Sequence, residues 1–263
     1  MDLRLRGRVA VITGGSKGLG AAAARLLAEE GAKLVLAARD GTALDALAER
    51  LRSVSGVDVT GIPVDLTTAG AADAVAKRAL EDFGRIDILI NSAGSSQGGV
   101  FWDISDDVWE QSLALKFHGA VRMIRAVIPA MRRQKYGRIV TVVGNTGRQP
   151  NARLLPGAAA NAALLAVTKG LADEVAADGI VVNAVNPGPT RTERWQTLMA
   201  NLAKQGGKTV EEVEAGFMKE IPMRRLGAPE EIARYIVFLA SEAAANMTGS
   251  SITADGGWTK SLA

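Results

Sequence analysis

Two kinds of apolar run alternate along this chain of 263 residues. Short runs of Val, Ile, Leu and Ala predict buried strands at 9–13, 33–38, 57–64, 86–90, 138–143, 180–185 and near 251–253. Alanine-rich or amphipathic stretches predict helices at about 19–30, 42–54, 69–83, 106–134, 156–177 and 229–244, the fourth interrupted only near Pro129. Strands that are apolar on both faces and alternate with helices predict one α/β domain, its parallel sheet covered on both sides. No repeat, low-complexity tract or linker divides the sequence. Thr190 to Met223 breaks the rhythm: it is charged, rich in Lys and Glu, and carries Trp195, Met199, Leu202 and Phe217. It predicts a helical lid-like insertion at about 190–223, or else a surface excursion whose apolar residues simply pack together.

The turn after the first strand adds candidate chemistry. Gly14-Gly15-Ser16-Lys17-Gly18-Leu19-Gly20 lies between a strand and a helix, the setting in which a glycine string cradles phosphates. Gly14 permits the turn, Gly18 permits close approach of a pyrophosphate, and Gly20 lets helix and strand pack closely. The helix N-terminus adds free N–H groups and partial positive charge. At the end of the second strand, position 38 is alanine, so the carboxylate that would chelate an adenosine ribose is missing. Arg39 follows it and Lys17 lies in the glycine loop. Two cations there favour a 2′-phosphate, hence NADP(H) over NAD, although Asp40 remains as a candidate partner for an NAD ribose.

Composition narrows the remaining chemistry. Lys and Arg total 31 against 28 Asp and Glu, a scattered excess that argues against a nucleic-acid partner. There is no cysteine and one histidine, which excludes thiolate chemistry and predicts no metal site. No apolar run is long enough to span a membrane, and Met1–Arg6 lacks the apolar stretch of a signal peptide, so a cytoplasmic protein is expected.

Five segments, in order, carry a family resemblance: Thr13 to Gly20, Asp65, Asn91-Ser92-Ala93-Gly94, Asn183 to Gly188, and Asp255-Gly256-Gly257. Over nearly its full length the chain resembles a short-chain dehydrogenase/reductase. The resemblance implies a single Rossmann-type doubly wound domain over 1–263 with seven parallel strands, usually a homotetramer or homodimer, the long helices at 106–134 and 156–177 joining the copies. It implies that Gly14, Gly18 and Gly20 line the pyrophosphate, with Ser16, Lys17 and Leu19 among the cofactor contacts. Asp65, beside Leu66, would meet the adenine amino group, and Asn91, Ala93 and Gly94 would wall the adjacent ribose. Pro187, Gly188, Thr190 and Thr192 would lie against the nicotinamide. For Asn91 a tie between neighbouring strands is the simpler alternative, and Asp255-Gly256-Gly257 reads as a structural turn.

The resemblance breaks at the catalytic positions. The family's chemistry rests on Asn, Ser, Tyr and Lys, and alignment by flanking residues puts Lys116, Gly144, Gly157 and Asn161 there. The only tyrosines, Tyr136 and Tyr235, are followed four residues later by Val140 and Leu239, so no shifted Tyr-x-x-x-Lys exists. Lys116 is the leading replacement: desolvated, it would become a proton donor or carbonyl electrophile, the alternative being a structural or solvent-facing helix cation. Asn145 and Asn161 are further candidates. Thr146, Arg148 and Arg153 lie on the same side, though surface charge is the plainer reading of the arginines. Ser95, Ser96 and Gln97 offer hydrogen bonds to a small-molecule substrate, and His118 should point to another helix face. Three functions follow: an NADP(H)-dependent oxidoreductase with a rebuilt proton relay on a carbonyl or alcohol; a silent cofactor-binding subunit or sensor that partners an active relative in a mixed oligomer; or a non-redox enzyme using the enlarged pocket.

Overall fold

Val9–Thr13 forms β1, five consecutive buried residues in an interior strand of the sheet. The computed structural model describes residues 1–94 and 97–261. From β1 the chain runs through α1 (Gly18–Glu29), β2 (Lys33–Ala38), α2 (Gly41–Ser55), β3 (Val59–Pro63), α3 (Ala71–Phe83) and β4 (Ile88–Asn91). It continues through α4 (Asp106–Ser112), α5 (Ala120–Gln134), β5 (Gly137–Val142), α6 (Leu155–Val175) and β6 (Ile180–Pro187). Then come α7 (Glu193–Gly206), α8 (Val210–Glu220), α9 (Pro229–Leu239) and β7 (Ser251–Ala254).

The seven strands pair in parallel in the order β3-β2-β1-β4-β5-β6-β7, the doubly wound Rossmann arrangement expected. Alternation along β1 sorts the core. Ala10 and Ile12 face one layer with Leu27 of α1, Leu44 of α2 and Ile236 of α9. Val11 faces the other, with Val75 of α3, Met123 and Val127 of α5, and Val175 of α6. The order reverses between β1 and β4, so the loops after these strands diverge in connection and meet in space. In such sheets that crevice is where ligands bind.

Two expectations need correction. Pro129 does not interrupt the long helix; α5 runs through it. The departure lies earlier, at Leu113–Gly119, where the backbone takes wider π-type turns between α4 and α5. A proline in the sequence is visible, whereas an added residue per turn leaves no signature of its own. β6 also extends two residues past its expected end, because Asn186 and Pro187 pair in register with Thr253 and Ala254. In the stretch 190–223 the chain forms α7 and α8. The Thr209 hydroxyl accepts from Glu212 N at 3.2 Å and the Glu212 carboxylate accepts from Thr209 N at 2.9 Å, a reciprocal cap that starts α8.

Candidate active site

The glycine loop is fixed by close backbone approaches. Gly14 has φ 64°, and a Cβ there would stand 2.9 Å from Ala93 N and from Ser92 O. A Cβ on Gly20 would collide with the carbonyl of Gly14, so any side chain at 20 pushes α1 off the turn. Gly18 has φ 56°, a left-handed conformation that favours glycine. α1 starts at Gly18 with no side chain capping it, which leaves its first N–H groups for a ligand.

The loop after β4 is tied to β1 by a residue the sequence reading passed over. Thr13 Oγ1 accepts from both Ser92 N and Ala93 N at 3.1 Å. A threonine ending a buried strand beside a glycine turn was the available signal. The strand-tying alternative for Asn91 therefore loses its purpose: Asn91 is buried and neither amide atom has a partner. Asn186, at the end of β6, is orphaned in the same way.

Around the second strand's end the charges are already arranged. Asp40 spends Oδ1 on Ala43 N at 3.0 Å, capping α2, and its Oδ2 lies 3.6 Å from Lys17 Nζ. Lys17 also lies 3.6 Å from Glu193 Oε2. Arg39 is exposed and close enough to Asp65 to help lower its pKa, after the hydrogen bonds from Thr67 N and Oγ1 at 2.9 and 2.8 Å. Leu66 is buried beside it. Thr192 caps α7, and its methyl group lies 3.8 Å from a Cβ built on Gly18, so the start of the 190–223 stretch overhangs the glycine loop. Thr190 is buried and donates to Gly188 O at 3.0 Å.

Lys116 lies inside the π segment and is buried. Its Nζ donates to Val143 O at 2.7 Å, one residue past β5 and one before Gly144. Burial lowers its pKa to about 7, with the positive charge of Arg194 adding to the shift. Burial excludes the solvent-facing alternative for this lysine.

The other candidates are more firmly engaged. Asn161 is buried on α6; its Nδ2 donates to Thr146 Oγ1 at 2.8 Å while Oδ1 has no partner. Gly144 has φ 123°, and a Cβ there would lie 2.9 Å from Asn161 Nδ2. Gly157 is buried on the same helix. Asn145 donates to Asp255 Oδ2 at 3.4 Å. Asp255 also accepts from Gly257 N, Trp258 N and Thr259 N, which bears out the structural turn expected there. Arg148 donates to Ser251 Oγ at 2.7 Å, and Arg153 is exposed. His118 is exposed, edge-on to Phe117. Ser95 and Ser96 lie outside the described residues. Trp195, Met199 and Leu226 form a small core of their own, with Leu202 and Phe217 packed against it. Among the described residues no cluster of His, Asp or Glu has the makings of a metal site, and no helix is long and apolar enough to cross a membrane.

Comparison with known proteins agrees with this architecture. A family model described as enoyl-(acyl carrier protein) reductase matches residues 14–259. The chain belongs to the short-chain dehydrogenase/reductase family. It is 36% identical over 252 residues to a putative ketoacyl reductase of the monensin polyketide synthase from Streptomyces virginiae, covering 95% of this chain and 96% of that one. It is 32% identical over 255 residues to the 3-oxoacyl-[acyl-carrier-protein] reductase FabG of Escherichia coli, covering 97% and 98%. L-sorbose reductase from Gluconobacter frateurii, solved with NADPH and L-sorbose, superposes with a TM-score of 0.93 at 36% identity over the whole of both chains. This member of the family is thus a short-chain-type oxidoreductase by descent and by fold.

Proposed function

We propose that the protein is an NADP(H)-dependent oxidoreductase that interconverts a carbonyl and an alcohol on a small molecule, with Lys116 in place of the family's usual proton donor. The observation that carries this reading is the buried Lys116 ammonium, 2.7 Å from Val143 O just past β5. The residues fit the dinucleotide. Gly14 and Gly20 have backbone where a side chain would stand, Gly18 is left-handed with room before it, α1 begins uncapped, and Asn91 holds an unpartnered amide. Ser16, Lys17 and Leu19 would add contacts in that loop, Asp65 and Leu66 would hold the adenine end, Ala93 and Gly94 would wall the adjacent ribose, and Pro187, Gly188, Thr190 and Thr192 would lie against the nicotinamide. Arg39 is the cation left to meet a 2′-phosphate, since Asp40 is spent on Ala43 N and Lys17.

The nicotinamide supplies or accepts the hydride when bound. The chain's own part is proton handling and orientation. The Val143 carbonyl holds Nζ of Lys116 in place, and burial keeps its pKa near the working range, so the ammonium donates a proton to the substrate oxygen during reduction. Asn161, with its free Oδ1, orients a hydroxyl, and Asn145 fixes the turn at Asp255 from below. The stretch 190–223 acts as the lid.

A specific observation favours the second reading, a silent cofactor-binding subunit in a mixed oligomer. Asn145 and Asn161 both spend donors on neighbouring side chains, and Gly144 has a backbone conformation that serine rarely adopts. Titration with NADPH and NADH, followed by turnover of the native chain and of Lys116→Met against a carbonyl panel, separates the two. Under the oxidoreductase reading, NADPH binds more tightly than NADH and the substitution removes about 100-fold or more of turnover. NADPH binding with no turnover in either protein favours the silent subunit.

A further inference from the structure

Two cations converge on Gly94. Lys116 packs against it from the π segment: a Cβ built on Gly94 would lie 3.2 Å from the lysine Cγ and 3.4 Å from Cδ. Arg194 comes from the first turn of α7, and its Nη1 donates to Gly94 O at 3.0 Å. Neither cation has a carboxylate within ion-pairing distance among the described residues, where every ion pair involves other partners. Glu193, the adjacent carboxylate in the chain, lies 3.6 Å from Lys17 Nζ. Arg194 spends one of its five N–H groups on Gly94 O and Lys116 one of its three on Val143 O.

Lys116 is buried while Arg194 is exposed, and the two like charges near one residue repel each other, so an anion that joins them is attracted by both. The phosphates of a dinucleotide already have the glycine loop and the N-terminus of α1. Arg194 and Lys116 are the cations at Gly94 that those phosphates leave without an anionic partner. The planar guanidinium fork suits the two oxygens of a carboxylate, whereas the ammonium is a point donor suited to a single carbonyl oxygen.

We infer that Arg194 is a specificity-determining residue that receives the carboxylate of an oxo acid while Lys116 meets its carbonyl oxygen. This rests on the oxidoreductase reading above. The carbonyl is reduced by two electrons to the alcohol, the cofactor is oxidised, the proton enters at oxygen from Lys116, and the carboxylate is unchanged. The position of Arg194 in α7 ties substrate choice to the lid, because opening α7 withdraws the guanidinium from Gly94.

The test is calorimetric titration of pyruvate and acetoacetate, each beside its methyl ester, into the full chain with and without NADP+, which prevents turnover. The expected result is that an acid binds about tenfold or more tightly than its ester. Arg194→Met removes that difference and leaves NADP+ affinity unchanged, while Arg194→Lys restores part of it. Equal affinity for acids and esters, or no binding of either acid, overturns the inference. So does an equal loss of NADP+ and acid affinity in Arg194→Met, because the guanidinium then serves the cofactor. Acid binding that depends on Arg194 without NADPH oxidation on mixing keeps the carboxylate site and sinks the oxidoreductase reading. Circular dichroism of each variant confirms that the fold is intact.

Discussion

At Gly14 and Gly20 backbone lies against backbone, whereas at Gly144 backbone lies against the end of a side chain. A Cβ on Gly20 meets the Gly14 carbonyl, and one on Gly14 meets the backbone of Ser92 and Ala93. A Cβ on Gly144 meets the Asn161 amide. The turns that leave β1 and β4 cannot separate without disturbing the strand ends they continue, but an amide can rotate. Gly14 and Gly20 therefore leave no room for a side chain, and the surroundings of Gly144 can be rebuilt with different side chains while the sheet stays the same. Lys116 makes the contrast sharper, since its anchor is a main-chain carbonyl just past β5 rather than another side chain.

The largest effect should come from the rigid region. Gly20→Val should weaken NADPH binding by about 100-fold or more, on the order of 3 kcal/mol, because α1 must retreat from the turn. Titration with the folded variant measures it, and near-native affinity would break the comparison.

Next is Lys116→Met, with turnover reduced about 100-fold or more but the fold kept or made firmer, since a buried charge is removed. The pH dependence carries a sign. Burial lowers the pKa from 10.5 unfolded to about 7 folded, so between these values the unfolded chain binds more protons. Stability from this group therefore rises from pH 7 toward 10.5 and is lowest, by a constant amount, below pH 7. Reductive turnover should fall as pH rises past about 7, because the donor loses its proton. Chemical denaturation across this range should show a flatter profile for Lys116→Met than for the native chain.

Gly144→Ser should destabilise by about 1–3 kcal/mol, since φ of 123° is strained for any L side chain. Combining it with Gly157→Tyr and Asn161→Lys removes the Asn161 amide, so the triple variant should be less destabilised at 144 than the single one. Thermal melts of both decide this, and equal losses would mean that the backbone, not the amide, sets the limit.

Arg39→Ala should reduce the preference for NADPH over NADH by about tenfold, the scale of one charge-assisted hydrogen bond. The smallest effect belongs to the lid: Thr209→Ala should loosen α8 by about 1 kcal/mol, seen as faster amide exchange there and unchanged exchange in β1.

Much of this was legible along the chain. Strand and helix order, the parallel sheet and the glycine cradle follow from local patterns: apolar runs, a strand-to-helix turn, and glycines where side chains have no room. The structural role of Asp255 was legible for the same reason, since the residues donating to its carboxylate are mostly its near neighbours. The π segment was not, because its widened turns lie at Leu113–Gly119 while the visible helix-breaker is Pro129. Thr13 and Arg194 were missed because their partners lie about 80 and 100 residues away, at Ser92, Ala93 and Gly94.

The sequence by itself determined the architecture and the place where a phosphate-bearing ligand would sit, because periodicity and glycine spacing act over a few residues. Only the tertiary structure decided that Lys116 is buried on the Val143 carbonyl, that Asp40 is already spent, and that Arg194 closes on Gly94. Burial and charge proximity are sums over atoms brought together from distant segments, and no local pattern carries them.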